Sequence, residues 1–275
     1  MPPVHPNEHG PLQAVILDWA GTTVDYGSLA PVLAFVEVFR RRGISLSQAE
    51  VRAPMGMDKR DHIRAILQME GVKERWVERY AKAPDEGDTS ALYHEFVPLQ
   101  LDVLANHARP IPGTLEAVAE MRRMGLKIGS TTGYNRQMMD ILAPAAARYG
   151  YQPDEIVCVS DVPAGRPEPW MALLCAVQLR AYPMAAIVKV GDTVADIAEG
   201  LNAGMWTVGL ALTGNEIGLD EAAVNNLPAT QLHSLLERAR QRLLQAGAHY
   251  AVDGIWDVPP VLEEINTRLR AGERI

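Results

Sequence analysis

Oxygen-bearing side chains follow several short apolar runs of this 275-residue chain. Asp18 ends the run AVILD, Thr132 and Gly133 follow LKIGST, and GDTVAD, after AIVKV, holds Asp192 and Asp196. Carboxylates at two such ends suit a hard cation such as Mg²⁺, which takes oxygen ligands from the protein and keeps water and phosphate oxygens. A hydroxyl with nearby backbone N–H groups suits the oxygens of a phosphoryl group.

Arg166, a few residues after the run EIVCVS, is a cationic side chain that also suits a phosphoryl group. Its planar guanidinium can donate two hydrogen bonds to one phosphoryl group. Each position also has a plainer interpretation, because an aspartate at a strand end often caps a turn or a helix. The ordered set is more specific than any one member, and it indicates a metal-assisted phosphoryl site.

These residues need a scaffold that brings the ends of separate runs together. The runs are short and mostly apolar, and helical patterns such as GTLEAVAEMRRMG and RPEPWMALLCAVQL separate them from residue 113 onward. This alternation predicts an α/β fold with a Rossmann-like parallel sheet, whose strands fall within 14–18, 126–131, 155–160, 186–191, 206–210 and 249–253. Ligands of such sheets bind at the carboxyl ends of the strands, where the candidate residues lie.

The long stretch between the first two predicted strands contains no convincing strand pattern. It shows helical patterns instead, among them LAPVLAFVEVFRRRG, MDKRDHIRAILQMEG, KERWVERYAKA and TSALYHEFVPLQLDVLANH. Such a length is too great for one crossover connection. We therefore expect a helical cap domain at 26–107, inserted into an α/β core domain formed by 1–25 and 108–275.

Composition argues against several classes of protein. Hydrophobic residues make up 48% of the chain and charged residues 22%, which is typical of a globular protein. The net charge of -8 argues against a nucleic-acid partner or an anionic membrane. No apolar run reaches the roughly 20 residues that span a bilayer, and MPPVHPNEHGPLQ lacks the regions of a signal peptide. We therefore expect a cytoplasmic protein, with Cys158 and Cys175 as buried thiols because they form no CxxC pattern.

The motifs together resemble the haloacid dehalogenase superfamily, whose members use a strand-end aspartate as nucleophile toward phosphorus. DWAGTT resembles the first motif, STTG the second and GDTVAD the fourth, and the helical insertion resembles the cap of that superfamily. The resemblance implies that Asp18 is the nucleophile. Two positions depart from the pattern of its phosphatases. Ala20 stands where a second aspartate acts as acid and base, and Arg166 stands where a lysine is usual.

One branch of the superfamily shares both departures. APMGMDKRDHI, together with DWAGTT and IGSTTGYNR, closely resembles the phosphonatase family, which hydrolyses phosphonoacetaldehyde, a small phosphonate. The resemblance implies that Lys59 forms a Schiff base with the aldehyde. It also implies a homodimer joined through its caps, with the apolar face of LAPVLAFVEVF as a candidate contact surface. The implied metal is Mg²⁺, bound by Asp18, the Ala20 carbonyl and Asp192, with Asp196 orienting the site.

A Schiff base explains why Ala20 replaces the usual aspartate. A carbon–phosphorus bond leaves no oxygen to protonate, and a bare carbanion is a very poor leaving group. If Lys59 converts the neighbouring aldehyde into a protonated imine, the carbon departs as an enamine. An acid beside the nucleophile then has no leaving oxygen to protonate.

The sequence around Lys59 supports such chemistry if a helix begins near Pro54. Met55 and His62 would then lie on the same face as Lys59, four residues before it and three after it. The helix N-terminus and an apolar pocket would both lower the pKa of the lysine and favour the free amine. The alternative is an exposed helix lysine. His62 would either relay protons or make a structural hydrogen bond, and Tyr134 would line the pocket or pack in the core.

The remaining site residues and the competing functions follow from these motifs. We expect Thr132, the Gly133 N–H and Arg166 to hold the phosphoryl group of the substrate. A phosphatase or phosphomutase acting on a small phosphorylated metabolite is the alternative, and Ala20 counts against both. A non-catalytic phosphate-binding protein would not need Lys59, and an imine-forming aldolase would leave the phosphoryl site idle.

Overall fold

The computed structural model describes residues 11–273, so most of the N-terminal stretch interpreted above lies outside the described residues. Within them the strands are β1 (Ala14–Leu17), β2 (Lys127–Thr132), β3 (Glu155–Cys158), β4 (Ile187–Gly191), β5 (Trp206–Leu210) and β6 (Tyr250–Val252). All pairings are parallel, in the order β3-β2-β1-β4-β5-β6. The predicted α/β class with a Rossmann-like sheet is confirmed, and each predicted run overlaps one strand, although β2 extends one residue beyond its run.

The chain after β1 forms a helical insertion. Its helices are α1 (Leu29–Arg41), α2 (Gln48–Arg52), α3 (Lys59–Gln68), α4 (Glu70–Tyr80) and α5 (Glu86–Leu104). Four of the five follow the helical patterns of the sequence, whereas the five-residue α2 was not predicted. We propose that this insertion is the cap domain expected at 26–107.

The apolar face of α1 is covered within the chain. α1 packs against α5, where the rings of Phe35 and Phe96 stack with centroids 4.4 Å apart. The expectation that this face is available to a partner subunit is therefore wrong for most of its residues. Leu33 is the exception, since 52% of its surface is exposed.

Helix α3 begins later than the sequence predicted. Asp58 is its N-cap, and the Asp58 carboxylate accepts hydrogen bonds from the backbone N–H groups of Arg60 and Asp61. Gly56 has a φ of 90°, which interrupts any helix that begins at Pro54. Lys59 is consequently the first helical residue, and Met55 lies in the preceding loop rather than on the helix face.

The two connections between the sheet and the insertion run side by side. Val24, after β1, bridges to Pro110, and Ile111 N–H donates to the carbonyl of Thr23 over 2.9 Å. Asp25 and Ser28 have positive φ angles of 55° and 50°, values that are uncommon for residues other than glycine. The chain therefore turns sharply between β1 and α1.

Helices cover both faces of the sheet. Val15 and Leu17 of β1 belong to one hydrophobic cluster, whereas Ala14 and Ile16 belong to another, as alternation along a strand requires. The helices of this part of the chain are α6 (Thr114–Arg123), α7 (Arg136–Ala147), α8 (Trp170–Leu179), α9 (Val194–Asn202), α10 (Glu221–Asn225), α11 (Ala229–Gln245) and α12 (Val258–Arg270). Both cysteines are buried and free, as predicted. In the described part of the chain, the helices are all too short or too polar to cross a membrane.

Candidate active site

The residues predicted at strand ends meet at one edge of the sheet. β1, which precedes Asp18, lies between β2 and β4. Thr132, at the end of β2, therefore lies on one side of Asp18. Asp192, after β4, lies on the other side. Carboxylate oxygens of Asp18, Asp192 and Asp196 all lie within 4.8 Å of one another, and the three residues are buried. Such crowding of buried carboxylates is unfavourable unless cations compensate for it.

Asp192 accepts its hydrogen bonds from neutral groups. The backbone N–H of Asn215 donates to its Oδ2 over 2.7 Å, and the Thr22 hydroxyl donates to its Oδ1 over 3.2 Å. Burial, followed by the two neighbouring carboxylates, raises the pKa of Asp192 well above its ordinary range. A divalent cation among these oxygens would relieve the repulsion, and Ala20, which lines the same cavity, can add its backbone carbonyl. This donor set fits Mg²⁺.

Asp196 differs from Asp192 because its oxygens already face cations of the protein. Its Oδ1 lies 3.0 Å from Nη1 of Arg166 and 2.9 Å from Nζ of Lys189. The Thr193 hydroxyl donates to its Oδ2 over 2.6 Å. Burial acts to raise the pKa of Asp196, but Arg166 and Lys189 bring it below the ordinary value. These contacts suit a residue that orients the site better than a direct ligand of the metal.

Arg166 is inserted among the carboxylates. Its Nη2 lies 2.8 Å from Asp18 Oδ1, its Nη1 3.0 Å from Asp196 Oδ1, and its Nε 2.8 Å from Glu199 Oε2. Nη2 also donates to the carbonyl of Thr131 over 2.9 Å. The sequence predicted a guanidinium directed at phosphate, whereas all three nitrogens contact the protein here. A phosphoryl oxygen bound by Arg166 would share or replace the contact with Asp18.

Asp18 itself is buried at the end of β1. Its backbone N–H donates to the carbonyl of Val190 over 3.0 Å, which holds it against β4. Burial, followed by the Asp196 carboxylate, raises the pKa of Asp18 to about 6, although Arg166 acts in the opposite direction. The ionised carboxylate, which is the form that a nucleophile requires, is favoured above that pH.

The sequence analysis missed two charged members of this network, Lys189 and Glu199. Lys189 is fully buried on β4, with Nζ 2.9 Å from Asp196 Oδ1, 3.2 Å from Glu199 Oε2 and 2.9 Å from Thr131 Oγ1. Glu199 is fully buried on α9, three residues after Asp196. Both had a signal in the sequence. A lysine inside an apolar strand of a parallel sheet is buried and needs an anionic partner, and residues three apart share a helix face.

Lys59 is buried in the same cavity as Asp18, so the alternative of an exposed helix lysine is wrong. Its Nζ lies 5.0 Å from the ring centroid of Tyr134 and 5.8 Å from that of Phe35. Burial lowers the pKa of Lys59 to about 8, although the Asp18 carboxylate favours the ammonium form. The cavity is lined by Asp18, Ala20, Ser28, Pro31, Met55, Gly56, Lys59, Thr132, Gly133, Tyr134, Arg166, Asp192 and Thr193.

His62 lies behind Lys59 and has its own structural contacts. Its Nε2 is 2.8 Å from the carbonyl of Val51, and because a carbonyl only accepts, Nε2 carries the hydrogen. The imidazole packs against the Phe35 ring with centroids 3.9 Å apart and the ring planes tilted by 33°. Burial, followed by the charge of Lys59, lowers the pKa of His62 well below its ordinary value. These contacts favour the structural role over proton relay.

Tyr134 and Met55 both lie at the cavity. The hydroxyl of Tyr134 is buried without a hydrogen-bond partner among the described residues. Its backbone N–H donates to the Thr132 hydroxyl over 3.1 Å, which orients that hydroxyl at the end of β2. Met55 is buried and reaches the cavity from the loop before α3.

The loop of residues 54–58 lies directly over the strand ends. A Cβ added at Gly133 would lie 2.6 Å from the Met57 carbonyl oxygen, and one at Gly56 would lie 2.4 Å from the Thr193 hydroxyl. The space left among the lining residues is about 20 Å³, room for about one water molecule. A phosphorylated ligand therefore needs a more open arrangement of this loop to reach Asp18.

Sequence comparison finds relatives along nearly the whole chain. Residues 12–204 match the haloacid dehalogenase-like hydrolase family. Phosphonoacetaldehyde hydrolase of Syntrophobacter fumaroxidans is 50% identical over 264 residues, which cover 96% of this chain and 95% of that protein. The protein of the same name from Bacillus cytotoxicus is 46% identical over 254 residues, which cover 92% and 96% of the two chains.

Solved structures agree with the sequence relatives. The crystal structure of a phosphonoacetaldehyde hydrolase-like protein from Oleispira antarctica matches with a TM-score of 0.95 and 43% identity, over 97% of both chains. β-Phosphoglucomutase from Clostridium difficile matches with a TM-score of 0.65 over 94% of this chain and 99% of that one, but its 15% identity shows a common fold alone. The chain therefore belongs to the haloacid dehalogenase-like hydrolases and, within them, to the phosphonoacetaldehyde hydrolase family.

Proposed function

We propose that this protein hydrolyses the carbon–phosphorus bond of phosphonoacetaldehyde to acetaldehyde and phosphate. Relatives 46% and 50% identical carry the corresponding name. The observation that carries the proposal is Lys59, a buried lysine of lowered pKa in the same enclosed cavity as Asp18. Cleavage of a phosphate ester has no step for such an amine, whereas cleavage of a phosphonate beside an aldehyde needs an electron sink.

The first step of the proposed reaction forms an imine. The Lys59 amine attacks the aldehyde carbon, a proton is taken up from solvent and water leaves, which gives a protonated imine. A pKa of about 8 leaves a fraction of the lysine as free amine near neutral pH. The rings of Tyr134 and Phe35 beside Nζ exclude water and favour the cation, so the imine is protected from early hydrolysis.

Asp18 then attacks phosphorus with a carboxylate oxygen. The carbon–phosphorus bond breaks, its electron pair passes into the imine to give an enamine, and the phosphoryl group is bound to Asp18. Protonation of the enamine carbon and hydrolysis of the imine release acetaldehyde and regenerate Lys59. Another water hydrolyses the aspartyl phosphate, so each turnover consumes one water in total.

The proposed Mg²⁺ ligands are Asp18, the Ala20 carbonyl and Asp192, with Asp196 orienting the site. When bound, the ion would neutralise phosphoryl oxygens and balance the buried carboxylates. The phosphoryl group would be oriented by groups at the ends of β2 and after β3, namely the Thr132 hydroxyl, the Gly133 N–H and Arg166.

Product release tests the proposal and its phosphatase alternative together. Purified protein with MgCl₂ and phosphonoacetaldehyde should release acetaldehyde and phosphate in equal amounts. Phosphate monoesters should release little phosphate, because Ala20 has no carboxyl group to protonate a leaving oxygen. Rapid release from monoesters with none from phosphonoacetaldehyde would establish the phosphatase instead.

Borohydride separates the two halves of the reaction. Added with substrate, it should reduce the imine and leave a secondary amine on Lys59, detected by mass spectrometry of peptides. Asp18→Asn should still be trapped but release no phosphate, because imine formation does not use its carboxylate. Lys59→Arg should lose both trapping and cleavage, because a guanidinium stays protonated. Label on another lysine, with full activity in Lys59→Arg, would contradict the assignment.

We also propose that the protein is a cytoplasmic homodimer joined through the cap. Leu33 is half exposed on α1 and borders an apolar groove together with Leu29, Val32, Ile217 and Leu219. Light scattering during size exclusion should give a dimer mass for the wild type and a monomer mass for Leu33→Arg. A monomer mass for the wild type would contradict this proposal.

A further inference from the structure

The loop of residues 213–219, which follows β5, touches the carboxylate of Asp192. The backbone N–H of Asn215 donates to Asp192 Oδ2 over 2.7 Å. Gly214 lies so close to Asp192 that an added Cβ would be 2.1 Å from the Cβ of the aspartate. The position of this loop therefore sets the position of the Asp192 carboxylate.

Arg52, the last residue of α2 in the insertion, holds the same loop from the other side. Its guanidinium donates to the carbonyl of Gly218 over 2.9 Å and to that of Gly27 over 3.0 Å. The side chain of Asn215 forms hydrogen bonds with both the guanidinium and the backbone carbonyl of Arg52. Its Oδ1 accepts from Nη1 over 3.3 Å, and its Nδ2 donates to the Arg52 carbonyl over 3.2 Å. One arginine thus joins α2, the turn after β1 and the loop after β5.

Two glycines near Arg52, Gly218 and Gly27, allow the loop after β5 to pack this closely, because neither has a side chain. Gly218 has a φ of 67°, and a Cβ there would lie 2.4 Å from Arg52 Nε. Gly27 has a φ of 86°, and a Cβ there would lie 2.4 Å from the Leu219 carbonyl oxygen. Gly27 N–H also donates to the carbonyl of Thr213 over 2.7 Å. Any side chain at either glycine would separate the turn and the guanidinium from the loop.

We propose that Arg52 and Asn215 are positioning residues that couple the closed position of the insertion to the geometry of Asp192. The Arg52–Asn215 pair forms when residues 54–58 lie over the strand ends, and the Asn215 N–H is then held against Asp192. Because coupling between two equilibria is reciprocal, closure should tighten Mg²⁺ binding and Mg²⁺ should favour closure. The inference rests on the proposed Mg²⁺ site and not on the proposed substrate.

Metal binding and hydrogen exchange test the coupling without any phosphonate. MgCl₂ alone, titrated by calorimetry, should bind Asn215→Ala and Arg52→Lys about tenfold more weakly than the wild type. Asn215→Ala keeps the backbone N–H that contacts Asp192, so a weaker affinity reports the side-chain link. In hydrogen exchange, MgCl₂ should slow exchange in peptides covering 48–58 of the wild type, and this effect should disappear in both variants.

The controls separate coupling from general loss of structure. Arg242→Lys alters an ion pair with Glu216 of the same loop, at 3.1 Å, and should leave Mg²⁺ affinity within about twofold. The double variant Arg52→Lys/Asn215→Ala should bind Mg²⁺ no more weakly than the weaker single variant, because both remove one link. Wild-type Mg²⁺ affinity in Asn215→Ala, or unchanged exchange of 48–58 on adding MgCl₂ to the wild type, would overturn the inference. Neither result bears on whether phosphonoacetaldehyde is the substrate, which product release decides separately.

Discussion

Nη2 of Arg166 lies 2.8 Å from Oδ1 of Asp18, so a buried guanidinium contacts the carboxylate that we propose as the nucleophile. The same side chain contacts Asp196 and Glu199 through its other nitrogens. A single planar cation therefore fixes the spacing of three carboxylates at the strand ends. This relationship and the contacts around it lead to five predictions.

Arg166→Lys should lower kcat/KM although the positive charge is kept. A lysine has one nitrogen, so it cannot reach Asp18, Asp196 and Glu199 at the same time. The expected loss is about 1–3 kcal/mol of transition-state stabilisation, measured by steady-state kinetics with phosphonoacetaldehyde. Arg136→Lys is the control, because Arg136 pairs with Asp161 at the surface. Equal kcat/KM in wild type and Arg166→Lys would show that the reaction does not need the several contacts of the guanidinium.

Lys59 should react as a free amine at lower pH than an ordinary lysine. Burial lowers its pKa from 10.5 to about 8, so its acylation by trace acetic anhydride should rise up to about pH 8 and then level off. Mass spectrometry of the peptides measures this, with exposed Lys73 labelled in the same sample to correct for decay of the reagent. A plateau reached only near pH 10 would contradict the lowered pKa.

The same lowered pKa predicts the pH dependence of stability. Between about pH 8 and 10.5 the unfolded chain binds a proton at Lys59 that the folded chain does not. The free energy of unfolding of the wild type, relative to Lys59→Met, should therefore rise over this interval. Urea unfolding at several pH values measures it, and a falling difference would contradict the assignment.

Lys189→Met should strongly destabilise the fold. It would leave Asp196 and Glu199 buried without one of their cations, for which about 3–5 kcal/mol is typical. Urea unfolding measures the loss, and Lys73→Met, at an exposed position on α4, should change stability by less than about 1 kcal/mol. Adding Glu199→Gln should recover part of the loss, since it removes one of the buried negative charges that Lys189 helps to balance. Wild-type stability in Lys189→Met would contradict this account of the network.

Gly133→Ala should impair the reaction while leaving most of the stability intact. The added Cβ would lie 2.6 Å from the Met57 carbonyl oxygen, so the loop 54–58 could not reach its present position over Asp18. A displacement of this kind lowers rates by about 100-fold. Gly71→Ala is the matched control in α4, where the nearest heavy atom would be 3.6 Å away. A wild-type rate in Gly133→Ala would show that the loop is not required this close.

Much of the scaffold could be predicted from the sequence because its signals are local. Apolar runs gave the strands, and the order of the motifs placed Asp18, Thr132 and Asp192 at one sheet edge. The motif around Lys59 indicates a site residue, but the predicted start of its helix, near Pro54, is wrong. The helix begins later because Asp58 caps α3 and Gly56 has a positive φ. Hydrophobic periodicity predicts neither feature.

The charged network and the Arg52 contacts depend on pairs far apart in sequence. Arg52 and Asn215 are separated by 163 positions, and α2 is too short to give a clear periodic pattern. Lys189 lies within an apolar strand, and hydrophobic periodicity predicts the strand without indicating the contacts of its lysine. Its place in a buried strand indicates that it needs an anionic partner, but only the packing of α9 against β4 identifies that partner as Asp196 and Glu199.

The small cavity at Asp18 has a consequence for the water balance of each turnover. The proposed reaction gives up one water when the imine forms and later takes up two. A space of about 20 Å³ stores about one water beside the lining side chains, and none once a substrate fills it. The water that completes the cycle must therefore arrive from bulk solvent after the carbon has left. If residues 54–58 must move to admit this water, the rate of that movement would set an upper limit on the turnover number.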